Sequence, residues 1–245
     1  MTTILPQHRI ERVRYELARR NVTVRKVERS GDGFARITFA GDSLPGFQSQ
    51  SFDDHIKFIF QDGQGNTVMR DYTPMAATAD DGELTLEFAL HGHGAAASWA
   101  QQAEEGMSAI IAGPKGSMII PAQQDWHLLV GDASSLPAIR RRLAELPATA
   151  HVEVLLLRGD SADGWSLPQQ PTWRIVQLGD DAALLAALHN WQVPAGHGFA
   201  WCAGEGGLMR QARSVLLEEK QLPREGVKVA AYWRLGEVDF HERLV

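Results

Sequence analysis

Cysteine is nearly missing from this chain. Cys202 is the one thiol in 245 residues, which excludes an internal disulfide framework and a zinc site built on thiolates. Long apolar runs are missing as well. Nothing approaches the roughly 20 consecutive apolar residues of a membrane helix, so no membrane span is expected. The first twenty residues hold arginines but no apolar stretch of the secretory kind, and a cytoplasmic protein is the expectation. Strong positive charge is absent too: the net charge is −6, which argues against nucleic acid as a partner. What is present is ordinary. Hydrophobic residues make up 44% and charged residues 22%, which excludes a disordered chain, a coiled coil and a collagen-like fibre. At about 100–200 residues per domain, the length allows one large domain or two small ones.

The charge is uneven. Residues 1–30 carry eight Lys/Arg against three acids, a net of +5, which leaves −11 for the remainder. A basic edge on an acidic body suits an anionic ligand or partner, but the simplest reading is a short solvated helix followed by an edge strand.

The first half reads as β structure. Val22–Arg29, Phe34–Phe39, His55–Phe60, Thr67–Thr73, Glu83–Leu90 and Met107–Ala112 alternate or run apolar. Turn clusters such as Ser30-Gly31-Asp32-Gly33 and Asp62-Gly63-Gln64-Gly65-Asn66 separate them. This pattern predicts an antiparallel β-barrel or sandwich, interrupted by one helix near Ala95–Glu105. After Pro121 the pattern changes. Short apolar strands (Trp126–Val130, Val152–Leu157, Trp173–Leu178, Gly198–Cys202, Val227–Tyr232) alternate with helices at Leu136–Leu146, Ala182–Trp191 and Gly206–Lys220. The almost wholly apolar Val152–Leu157 suits a strand covered on both faces, and the alternation predicts a parallel sheet. The expected architecture is an antiparallel barrel with a short N-terminal helix over 1–120, then a parallel-sheet α/β domain over 121–245.

Two local signals carry chemistry. In Arg70-Asp71-Tyr72-Thr73, alternation puts Arg70 and Tyr72 on one face of a strand. The guanidinium suits a phosphate, and the ring suits stacking on a flat heteroaromatic. In His91-Gly92-His93-Gly94-Ala95-Ala96-Ala97-Ser98, glycines and small residues open a helix whose free amides suit a pyrophosphate. The two histidines lack an Asp, Glu or Cys at ligand spacing, so no metal site is expected.

These residues resemble a known family. Arg70-x-Tyr72-Thr73 is similar to the flavin signature of the ferredoxin-NADP reductase superfamily. His91-Gly92 with Ala95-Ala96-Ala97-Ser98-Trp99-Ala100 resembles the siderophore-interacting proteins within it, of the vibriobactin-utilisation type. Asp54-His55-Ile56-Lys57, Gly113-Pro114-Lys115-Gly116-Ser117, Gly131-Asp132 followed by Leu136-Pro137-Ala138-Ile139, Trp201-Cys202-Ala203-Gly204-Glu205 and Tyr232-Trp233-Arg234-x-Gly236 recur in order. The resemblance covers about residue 20 to 236. It implies an NAD(P)H-dependent reductase of ferric siderophores that carries FAD. By position, Arg70, Tyr72 and Thr73 would hold the flavin, and His91, Gly92, Ala97 and Ser98 would follow its ribityl and phosphate chain. Lys57 would receive an anionic, catecholate-like iron chelate. Gly131 and Asp132 would border the nicotinamide cofactor, NADPH or NADH. Trp201, Gly204 and Glu205 would sit at a later strand end, with Trp233 as the C-terminal aromatic close to the flavin. A monomer is the expected state.

The match has departures. Pro74-Met75 replaces the usual Val-Arg after Tyr-Thr, Ala95-Ala96-Ala97 replaces a stretch containing Gly-Pro-Ala, and Ala133 stands where an acid is usual. Cys202 lies one residue before the place of the superfamily's cysteine, and reads as a small buried hydrophobe. Arg158 follows the second α/β strand, where a basic residue can pair with the 2′-phosphate of NADP. Asp160 and Asp163 beside it make the preference slight. The Arg140-Arg141-Arg142 run reads as the solvated face of a helix. No side-chain nucleophile or general acid is required, because a flavin takes a hydride pair and passes electrons on singly. Two rivals stay open: a flavin reductase with a protein acceptor, and a siderophore-binding module without redox turnover.

Overall fold

A computed structural model describes residues 8–31, 33–76, 78–90, 94–158 and 166–237. The chain divides into two compact units, one holding Ile10–Ile119 and the other, among the described residues, 8–9, 120–158 and 167–237.

The first unit is a curled antiparallel sheet of six strands: β2 (Arg19–Ser30), β3 (Phe34–Ala40), β4 (Ile56–Gln61), β5 (Thr67–Tyr72), β6 (Glu83–Ala89) and β7 (Ser108–Ala112), in the order β5-β4-β7-β2-β3-β6. The sheet curls far enough for Pro74, just past β5, to bridge to Leu86 on the opposite edge strand β6. Alternation explains the core. Ile56, Phe58 and Phe60 of β4 all point inward, with Leu84, Leu86 and Phe88 of β6. On β2 the inward residues are Val22 and Val24 and then Val27; a register shift between Val24 and Lys26 absorbs the extra residue. One helix, α1 (Ala95–Gln101), packs on β3, β5 and β6. Its Trp99 meets Phe58 edge-on at 4.9 Å and Phe39 at 6.2 Å, and such ring pairs contribute about 0.5–1.5 kcal/mol each beyond their buried area.

The N-terminal segment departs from expectation. Residues 1–7 of the expected short helix lie outside the described residues. Glu11–Arg14 is a strand, β1, paired antiparallel with β8 (Gly116–Ile119). The reason is a backbone partner about a hundred residues away. Gly116 lets the two chains close: a Cβ there would lie 2.2 Å from the Val13 carbonyl oxygen. Tyr15 adds a hydroxyl bond to Ser117 at 2.8 Å.

The second unit is a five-stranded parallel sheet of β9 (Trp126–Gly131), β10 (Val152–Leu157), β11 (Trp173–Leu178), β12 (Gly198–Glu205) and β13 (Val227–Trp233). Its order is β11-β10-β9-β12-β13, with α2 (Leu136–Glu145), α3 (Asp181–Asn190) and α4 (Gly206–Ser214) between the strands. The chain builds outward from β9 in one direction and then from β12 in the other. The carboxyl ends of β9 and β12 therefore form the switch point, where α/β sheets open a crevice for ligands. Two local expectations are corrected. The helix begun at Gly206 gives way to a π turn at Val215–Glu219. The arginine run is not a solvated face: Arg141 and Arg142 are each 3% exposed. Arg141 pairs with Glu145 at 2.8 Å and Arg142 donates to the Pro121 carbonyl at 2.8 Å. The helix turns this face inward, and the long stems bury while their heads find oxygen partners. Among the described residues no helix is long and apolar enough to cross a membrane.

Candidate functional site

The curled sheet brings together the two chemical signals of the first unit. Arg70 and Tyr72 lie on β5, cross-strand from Phe58 and Ile56, on the inward-facing side. Tyr72 is half-buried, with its ring 4.4 Å from Phe88 and edge-on to Phe58 at 5.7 Å. Burial pushes its phenol well above the ordinary value, the Arg70 charge pulling the other way, so the hydroxyl stays protonated. Arg70 donates to the Met69 carbonyl at 2.8 Å, and Thr73 is buried directly after the strand. Within α1, which packs on β5, Ala97 is buried and Ser98 half-buried. The N-cap Gly94 offers no side-chain acceptor to the first turn of α1. A guanidinium, an aromatic face, a threonine and small residues at a helix start make a donor set that fits a dinucleotide with a flat ring and an anionic linker. His91 and Gly92 lie outside the described residues.

Lys57 lies on β4. Alternation turns it to the other face of β4, away from Phe58, and its Nζ meets Asp71 Oδ2 at 2.8 Å. Lys57 thus carries its own counter-charge, a partner sequence reasoning missed. The signal was available: strands in this register place residue 57 directly opposite residue 71. The start of β4 is held by a second missed cluster. The buried Asp54 accepts from the Ser49 hydroxyl at 2.9 Å, the Ser51 amide at 3.1 Å and the Ser117 hydroxyl. The pieces Asp54-His55-Ile56-Lys57 and Gly113-Pro114-Lys115-Gly116-Ser117 are therefore joined by a buried carboxylate.

In the second unit, Gly131, Asp132, Gly204, Glu205 and Trp233 converge at the switch point, and their chemistry is largely turned inward. Asp132 Oδ1 accepts the Ser134 amide at 2.8 Å and its hydroxyl at 2.6 Å. Oδ2 accepts the Glu205 amide at 3.0 Å and the Trp233 indole N–H at 2.9 Å. A Cβ on Gly131 would lie 1.9 Å from Ser135 Oγ, and one on Gly204 2.5 Å from Asp132 Oδ2. These glycines make room for protein atoms. Glu205 caps α4 through Leu208 N at 2.8 Å. Asp181 nearby is raised by burial and by the negative charges of Glu205, Asp132 and Asp180. Arg158, exposed just past β10, stands at the same carboxyl edge of the sheet, its amide bonded to the Leu178 carbonyl at 2.7 Å.

Trp201 is corrected. β12 runs on to Glu205, so Trp201 is in mid-strand and fully buried, edge-on to Tyr232 at 6.3 Å. Its ring is core and has no surface to offer a cofactor. Cys202 is buried with Val130, Leu155 and Leu208, and burial pushes its thiol up, in keeping with a small core hydrophobe.

Comparison with known proteins adds an independent line. Residues 124–236 match the family described as siderophore-interacting protein, and residues 23–68 and 62–118 match the siderophore-interacting FAD-binding domain. The chain is 36% identical to the NADPH-dependent ferric-chelate reductase of Escherichia coli K12, over 91% of this chain and 96% of that one. It is 28% identical to the ferric vibriobactin reductase ViuB of Vibrio cholerae, over 84% and 87%. Its fold is similar to a siderophore utilization protein from T. fusca, with a TM-score of 0.86 at 30% identity over 94% of this chain and 99% of that one. SipS from Aeromonas hydrophila follows at 0.74 and 26%, over 90% and 93%.

Proposed function

The chain belongs to the siderophore-interacting protein family, and from that premise we propose that it is an NADPH-dependent flavoprotein that reduces ferric siderophores and so releases their iron. The observation that carries the reading is the strand bearing Arg70 and Tyr72, packed beside α1 in the curled sheet. In this reading residues 1–120 are the FAD-binding domain and 121–245 the nicotinamide domain. Arg70 neutralises the phosphate chain, Tyr72 offers its ring to the flat heterocycle, Thr73 bonds its rim, and the first turn of α1, with Ala97 and Ser98, faces the pyrophosphate. Bound FAD supplies the conversion between a hydride pair and single electrons. Lys57 receives an anionic, catecholate-type chelate, its charge moderated by Asp71. Ferrous iron holds hard oxygen ligands less tightly than ferric iron, so reduction frees the metal. The protein acts as a monomer in the cytoplasm.

The test is anaerobic. Protein loaded with FAD is mixed with NADPH and a ferric catecholate, and ferrous iron is trapped by a chromogenic ligand. Ferrous product appears at a rate that depends on FAD. Bleaching of the flavin without ferrous product would point to a protein acceptor, and failure to take up FAD would leave a plain siderophore binder.

A further inference from the structure

At the switch point one carboxylate ties three strands together. Asp132 follows β9, its Oδ2 bonds the Glu205 amide at the end of β12, and the same oxygen bonds the indole N–H of Trp233 at the end of β13. With Ser134 on Oδ1, four donors saturate the group. Gly204 leaves the space this requires. The carboxylate has no lone pair to spare for a ligand, which argues against a direct cofactor contact. Trp233, by contrast, remains 40% exposed while its polar edge is tied down. A ring so fixed is an oriented flat surface at the sheet edge where ligands bind.

We propose that Asp132 is a positioning residue: its carboxylate holds the Trp233 indole as a preset surface for the nicotinamide cofactor. This rests on the function proposed above. Without the bond the ring is free to rotate, and its ordering is charged to cofactor binding instead, worth about two- to tenfold in KM for NADPH.

The experiment uses holoenzyme labelled with 15N at the indole nitrogens, as wild type, Asp132→Asn, Trp233→Phe and the double variant. Of seven tryptophans, Trp233 is identified by the signal that Trp233→Phe removes. An asparagine leaves one acceptor oxygen for four donors, so that signal moves upfield and exchanges faster in Asp132→Asn. Each single variant raises KM for NADPH about two- to tenfold, the double variant raises it no further, and KM for the ferric chelate stays unchanged. Trp233→Phe keeps the other three bonds of Asp132 and carries the kinetic test if Asp132→Asn does not fold. An unmoved indole signal in Asp132→Asn, or additive changes in KM, overturns the proposal while wild-type turnover leaves the function standing. A wild type that does not oxidise NADPH overturns the function and, with it, the role of the bond, whatever the indole signal does.

Discussion

At the scale of single residues, side-chain partners decide what each group can do. Arg70 carries the only positive charge in its signature, and charge-assisted bonds to phosphate are worth about 1.5–3 kcal/mol each. Arg70→Ala should weaken FAD binding tenfold or more, on the order of one such bond, read by titrating the flavin absorbance. Lys57 and Asp71 oppose each other at 2.8 Å, so their variants should act in opposite directions. Lys57→Ala raises KM for an anionic chelate and Asp71→Asn lowers it, whereas unchanged chelate kinetics in Lys57→Ala would remove it from the site. His127 gives a pH effect. Burial, with the Arg142 charge beside it, lowers its pKa to about 3. The unfolded chain therefore takes up a proton near pH 6.5 that the folded chain refuses. Stability is intact above pH 6.5 and falls with acidification towards pH 3, by up to roughly 1.4 kcal/mol per pH unit. Urea unfolding across this window measures the slope, and His127→Gln should flatten it.

At the scale of elements, legibility depended on where the pattern came from. β10 reads directly from Val152–Leu157, because both its faces meet apolar layers. β1 and β8 were not legible as partners, since each is four residues long and the pairing spans a hundred positions. The arginines of α2 misled for a related reason: the residue type signals solvent, while the helix face decides burial. The glycines at the sheet edge belong to this scale. Gly131→Ala and Gly204→Ala push a methyl into Ser135 and Asp132. Overpacking of this kind costs about 1–3 kcal/mol, so both variants should show a lower urea midpoint with an unchanged slope.

At the scale of the whole molecule, a ligand that binds only the folded chain raises its stability by mass action, about 2.7 kcal/mol at a hundredfold excess over Kd. FAD should therefore raise the melting temperature of the wild type in calorimetry and raise that of Arg70→Ala by about half as much or less at the same concentration, since a tenfold weaker site keeps about 1.4 kcal/mol of the effect. A thermogram of the wild type indifferent to FAD would contradict the flavin site.

By itself the sequence determined the order of the architecture, antiparallel first and parallel second, because hydrophobic period and turn residues are local. It determined the family as well, since motifs such as Arg70-x-Tyr72-Thr73 are short and contiguous. Only the tertiary structure decided which polar groups are already spent, as Asp132 is on Trp233 and Asp54 on Ser117. Those bonds join residues far apart in the chain. Whether a side chain is free for a ligand or committed to a neighbour is a property of distance, which spacing along a sequence does not encode.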